Sequence, residues 1–405
     1  MIKKEQPRPS LLLLFVMMLA SQLALTIFLP AVVNMAEDLE TSLNNIQLII
    51  PAYLVAFAIM QLVAGSLSDT FGRRPIILCG LGLFTLASFS CGLADNIGQL
   101  LIGRFFQAMG ACTTIVVGRA IVRDGSEGKA AARTLSYLGM SLAVGPAIAP
   151  FFGGFLVSWF DWRATFFSTA ILGLATLIAA IPRFVETLPK EDRRSPDLAG
   201  MARKYIELLH NRLFIGYSLT IAFLTGTFQT FIVAAPIVMI DQMDVSPELF
   251  GFYVMTVPSS FILASFVSAR LSGRVHLDKM IAAGCIIALT GGLMQLGYSV
   301  SGTSGPISIL IAILISNFGT GLAFANCYAQ ALSMVQPHVA GAASALTGFI
   351  HMGWAFIISF LLANIDNITT IHLGVSQTAT VVGSAIAFVF LVKLFRFQLK
   401  NEQVK

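Results

Sequence analysis

Apolar runs about as long as a bilayer core is thick dominate this chain. They lie at 11 to 33, 46 to 67, 76 to 94, 98 to 121, 133 to 158, 163 to 182, 213 to 240, 247 to 271, 280 to 300, 306 to 331, 338 to 362 and 372 to 396. A helical crossing takes roughly 20 apolar residues. Backbone in hydrocarbon must also close its hydrogen bonds within the segment, so each run is expected to be a helix. Only 11% of the 405 residues are charged, against about a quarter in soluble domains, which leaves little material for a soluble domain. The expected fold is an all-α polytopic membrane protein of twelve spans. The first run follows Lys3, Lys4 and Arg8 like a secretory leader, but it is longer than one and eleven more follow.

Charge sets the topology. Every Lys and Arg except Arg104 and Arg163 falls in or beside the amino tail, the even-numbered loops or the carboxyl tail. Positive connections stay in the cytoplasm, so both termini are placed inside. The opposite loops carry Glu37, Asp38, Glu40, Asp95, Asp241, Asp244 and Glu248. The net charge of +5 is thus explained by topology, with no nucleic-acid partner implied. The five cysteines lie inside apolar runs without metal or redox spacing, and neither a metal nor a cofactor is expected.

The longest polar connection, 183 to 212, divides an amino-terminal bundle of six spans (1 to 182) from a carboxyl-terminal one (213 to 405). LIGRFFQAMGA in span 4 aligns weakly with LISNFGTGLAF in span 10, setting Arg104 opposite Asn317. Duplicated halves with a site near the midplane are a frequent build of secondary transporters. The halves differ at one loop, where Gly273 stands in place of Asp69.

The span 2–3 loop reads GSLSDTFGRRPIIL, with Gly65, Asp69, Gly72, Arg73 and Arg74. Its order resembles the signature of the major facilitator superfamily. The resemblance implies a gating latch, in which Asp69 faces the amino-terminal end of span 11 and Arg73 pairs with an acid at the end of span 4. Asp124, which ends GRAIVRD, stands in the right place for that acid. The plainer alternative is a turn that only fixes orientation.

In span 4, Arg104, Gln107 and Gly110 resemble the second motif of the family. A charge inside a span is costly and is read as functional by default; the alternative is that Arg104 caps backbone carbonyls of a span 1 broken near Pro30. Span 5 reads GMSLAVGPAIAPFFGG, with Gly139, Gly145, Pro146, Pro150, Gly153 and Gly154, and resembles the motif of the exporting antiporters. Small residues allow close helix approach, and the motif is expected to seal against span 8. The chain is most similar to the Bcr/CflA drug exporters. Members of that group commonly carry an aspartate in span 1 four residues before the proline, where this chain has Thr26.

No carboxylate falls near a midplane. Proton coupling would then use Glu37 or Asp38 at the rim or His351 in span 11, or coupling is altered. Histidine titrates near neutrality in water and suits a relay, although a neutral histidine bonded to a neighbouring helix is an equal alternative. Candidate cavity residues are Gln22, Thr26, Tyr53, Arg104, Gln107, Gln229, Asn317, Asn326, His351 and Trp354. With no acid among them, the expected substrates are neutral, zwitterionic or anionic amphipathic molecules. No catalytic motif is present; GSEGKA lacks the spacing and hydroxyl of a phosphate loop.

The expected function is therefore export by alternating access, in exchange for protons, from a monomer in the cytoplasmic membrane. A dedicated exporter of one metabolite or siderophore, an uncoupled facilitator and a non-transporting receptor on the same fold are the alternatives.

Overall fold

The structure is a computed structural model and describes residues 10–125, 128–193, 198–336 and 339–396. Among them eleven helices are long and apolar enough to cross a membrane, and Val144–Trp159 adds a shorter apolar helix in the position of span 5. The described secondary structure is helical apart from one isolated bridge between Ser272 and Val275. Large apolar side chains such as Leu86, Ile102, Ile178 and Ile286 are exposed, which in a membrane is their favoured side. This is a multi-pass membrane protein.

Two compact units divide the chain at Asp197 and Leu198. The first holds α1 (Leu11–Thr26), a 3-10 turn (Leu29–Ala31), α2 (Val32–Asp38), α3 (Leu43–Gln47), α4 (Ile49–Phe71), α5 (Arg73–Gly92), α6 (Ile97–Gly125), α7 (Gly128–Trp159) and α8 (Arg163–Arg183). The second holds α9 (Leu198–His210), α10 (Arg212–Ala235), α11 (Pro247–Leu271), α12 (Leu277–Val300), α13 (Pro306–Ser333), α14 (Ala340–Ala363) and α15 (Thr370–Ile386). Two helices continue as π turns, α10 through Pro236–Asp241 and α15 through Ala387–Lys393. The connection expected between the bundles is shared between the units: Glu186 and Arg193 bond within the first, while α9 packs on α10 and α14 of the second.

Local chemistry sets the breaks. Span 1 is interrupted because Pro30 has no N–H and its ring clashes with the carbonyl of Thr26 in helical geometry; α1 accordingly stops at Thr26 and restarts at Val32. Gly72, at φ +102°, makes the turn between α4 and α5 that a β-carbon would strain. Side-chain oxygens start α3 (Ser42 from Asn45 N), α10 (Asn211 from Phe214 N) and α11 (Ser246 from Leu249 N), each satisfying an orphan N–H.

Close backbone approach builds both units. A β-carbon on Gly110 of α6 would lie 2.5 Å from Phe84 N and 2.6 Å from Gly80 O of α5. In the second unit one on Gly284 of α12 would lie 2.6 Å from Gly319 O of α13. Span 4 thus meets span 3, and span 10 meets span 9, through the same device.

Candidate functional site

At the cytoplasmic end of the first unit Arg73, 7% exposed, is the centre of a charge cluster. Its NH1 lies 2.5 Å from Asp69 Oδ1 and donates to Ser68 Oγ at 2.6 Å, while its Nε donates to Asp124 Oδ2 at 2.8 Å. Ser68 is held in turn by Gly65 O at 2.8 Å. The expected trio of Asp69, Arg73 and Asp124 therefore stands together. Arg74 is spent elsewhere, donating to Ile181 O at 3.0 Å.

Glu186, in the polar connection after α8, completes the cluster. Its carboxylate accepts the backbone N–H groups of Arg73 at 2.9 Å and Arg74 at 3.3 Å, and pairs with Arg193 at 3.2 Å. An acid at the amino-terminal end of α5 satisfies orphan donors and meets the positive end of the helix dipole. A β-carbon on Gly72 would collide with this carboxylate, so Gly72 supplies space as well as its turn.

Arg104 is fully enclosed, at 0% exposure. Its NH1 donates to Ala24 O at 2.8 Å, at the broken end of α1, and to Gln107 Oε1 at 2.6 Å. Gln107 passes the chain on to Ser88 Oγ at 2.8 Å. The rings of Tyr53 and Phe28 stand 4.3 and 4.5 Å from the guanidinium carbon, with Phe166 at 6.0 Å. Tyr53 OH donates to Ser21 O at 3.3 Å. Arg104, Gln107 and Tyr53 are therefore gathered inside the first unit, closed from solvent, with Arg104 clasping the carbonyl that the break in span 1 leaves over. Thr26 is 1% exposed and its hydroxyl has no partner among the described residues; Gln22 is half-buried.

Two span 5 glycines face span 1. A β-carbon on Gly145 would collide with Gln22, and one on Gly153 with the carbonyl of Ile27. Within the first unit these two positions of the motif are thus fitted to span 1. Pro146 and Pro150 lie inside α7, and Gly154 is buried. Gly139 falls in the part of α7 outside the described side chains.

In the second unit the polar candidates are tied helix to helix. Gln229 donates to Ser359 Oγ at 2.9 Å, Asn317 to Val257 O at 2.9 Å, and Asn326 to Ser268 Oγ at 2.9 Å. His351 is half-buried, with its ring 6.1 Å from that of Phe324, and makes no hydrogen bond to a described residue. Trp354 packs edge-on to Phe223 at 4.5 Å, and its buried Nε1 has no described partner.

The second unit also holds a cluster that sequence reasoning missed. Asp278, 3% exposed, accepts from Tyr217 OH at 2.8 Å and pairs with Arg396 at 3.0 Å and Lys393 at 3.6 Å. Arg396 also reaches Gln330 at 3.4 Å. One acid thus joins α10 and α12 to the end of the last helix, and Arg396 ties that end on to α13. In the first unit Asp38 is occupied by Arg163 at 2.6 Å and by Trp162 Nε1 at 3.0 Å, whereas Glu37 is exposed.

Two helical units, each with several helices long enough to cross a bilayer and with polar clusters in and beside those helices, define a polytopic membrane protein. Comparison with known proteins gives the family. The model of the Major Facilitator Superfamily matches residues 14–360, and the chain belongs to that superfamily. It is 32% identical to the uncharacterised MFS-type transporter YdgK of Bacillus subtilis, over 94% of each chain. It is 28% identical to a bicyclomycin resistance protein homolog of Haemophilus influenzae, over 90% of this chain and 91% of that one. Other relatives bear multidrug-resistance names. Among solved structures a D-xylose-proton symporter matches with a TM-score of 0.76 at 16% identity, covering 95% of this chain and 96% of that one.

Proposed function

We propose that this transporter exports small amphipathic molecules, neutral, zwitterionic or anionic, by alternating access in exchange for protons. The observation that carries the reading is the Arg73 cluster. A nearly buried cation held by two carboxylates at a cytoplasmic helix turn is a latch that can be broken and remade without unfolding the helices around it. Relatives named for bicyclomycin and multidrug resistance support export as the direction.

His351 is the proton carrier in this reading, supported by its partial burial and its lack of a hydrogen-bond partner among the described residues. Glu37 is the rim acid, since Asp38 is committed to Arg163. The test is transport in vesicles of purified protein with an imposed pH gradient, screening amphipathic compounds of each charge class. Accumulation of a neutral or anionic compound, driven by the gradient with measurable proton counterflow, is the expected result. Substrate movement without proton flux would leave an uncoupled facilitator, and binding without movement a receptor.

A further inference from the structure

The guanidinium of Arg104 is used on one side only. NH1 makes both of its bonds, to Ala24 O and Gln107 Oε1, whereas Nε and NH2 have no partner among the described residues. No described Asp or Glu forms an ion pair with it. Arginine does not shed its proton in proteins, so a full positive charge sits in the middle of an apolar unit at 0% exposure. Aromatic faces attract a cation, but they do not neutralise it.

The geometry of the bare side is selective. The Nε–H and one N–H of NH2 run parallel along one edge of the guanidinium, the side-on arrangement that receives the two oxygens of a carboxylate or a single halide between them. Phe28 and Tyr53 stand 4.5 and 4.3 Å from the guanidinium carbon. The Nε–NH2 edge, enclosed and unpartnered, is the part of the guanidinium left for an anion lying in its plane. Thr26, in the same break of span 1, carries a buried hydroxyl that also has no described partner.

We infer that the Nε–NH2 edge of Arg104 binds one monovalent anion, which replaces the carboxylate that this chain lacks in span 1. The ligand is either a free halide or the carboxylate of an organic molecule. The site is read by binding alone, so it stands or falls separately from the transport reading.

The experiment uses the purified full chain in lipid nanodiscs, in a sulfate medium of constant ionic strength titrated with chloride or with formate. A saturable rise of about 2 to 4 °C in the unfolding midpoint is expected, as for any ligand that binds only the native state. Arg104→Gln should abolish the rise, and Arg270→Gln, at an exposed arginine, should keep it. Where Arg104→Gln fails to fold, Thr26→Asp provides the second reading. It should raise the midpoint in plain sulfate and remove the response by supplying an internal acid. A response to formate alone assigns the site to an organic carboxylate, and a response to chloride as well assigns it to a halide. No saturable response in the native protein, an equal response in Arg104→Gln, or an undiminished response in Thr26→Asp would overturn the inference.

Discussion

Arg73 Nε and Asp124 Oδ2 lie 2.8 Å apart, joining the first residue of α5 to the cytoplasmic end of α6. Asp69, the other acid on Arg73, is 40% exposed at its side chain, against 21% for Asp124. The two bonds are thus unequal. Asp69→Asn should cost less than about 1 kcal/mol of stability, as an exposed pair does, and Asp124→Asn about 2 kcal/mol, between exposed and buried pairs. Both should lower transport about tenfold if the cluster gates the cycle, equivalent to about 1.4 kcal/mol. Thermal unfolding and vesicle flux, measured side by side, separate the effects. Equal stability losses would contradict the ranking.

Span 5 gives a steric prediction. A β-carbon on Gly153 would run into the main-chain oxygen of Ile27, which cannot rotate away, whereas one on Gly82 would meet nothing within 4 Å. Gly153→Ala should therefore destabilise by about 3 kcal/mol or prevent assembly, and Gly82→Ala should be neutral. Yield of monodisperse protein and its unfolding midpoint are the readouts.

The Asp278 cluster is tested by removing its acid and its hydroxyl in turn. Asp278 is 4% exposed at its side chain, but its partners Arg396 and Lys393 are 30% and 45% exposed and water can take part of their charge. Asp278→Asn should then cost about 2 kcal/mol, below the range for fully buried pairs. Tyr217→Phe, which deletes one hydrogen bond, should cost about 1 kcal/mol. A loss for Tyr217→Phe larger than that for Asp278→Asn would show that the phenol, and not the acid, organises this end.

His351→Ala addresses coupling directly. If the imidazole carries the proton, the variant should still exchange labelled for unlabelled substrate at a comparable rate while losing gradient-driven accumulation by about tenfold or more. Flux assays with and without a pH gradient measure both quantities. Retained accumulation would move the proton to Glu37 or another group.

The spans were legible because apolar runs of bilayer length admit little but helices. The trio of Asp69, Arg73 and Asp124 was legible because Asp69 and Arg73 flank one short turn, and Asp124 ends the helix that packs back along α5 to the same side. Glu186 was not, since its place at the start of α5 depends on where the chain leaves α8. Asp278 looked like any loop acid; its burial comes from Arg396 and Lys393, more than a hundred residues away in sequence. The surroundings of Arg104 were hidden for a different reason. A span apolar on all sides carries no facial pattern to say which way a side chain points, and Phe28, Tyr53 and Phe166 come from three separate spans.

The grip of Arg104 on span 1 ends on a peptide oxygen at Ala24. Every amino acid possesses that atom, so the tether itself does not depend on which side chain stands at position 24, whose size is limited only by its burial. The fourth span remains fastened to the first whatever sequence lines the path between them, and a shift of either one has to be shared by the other.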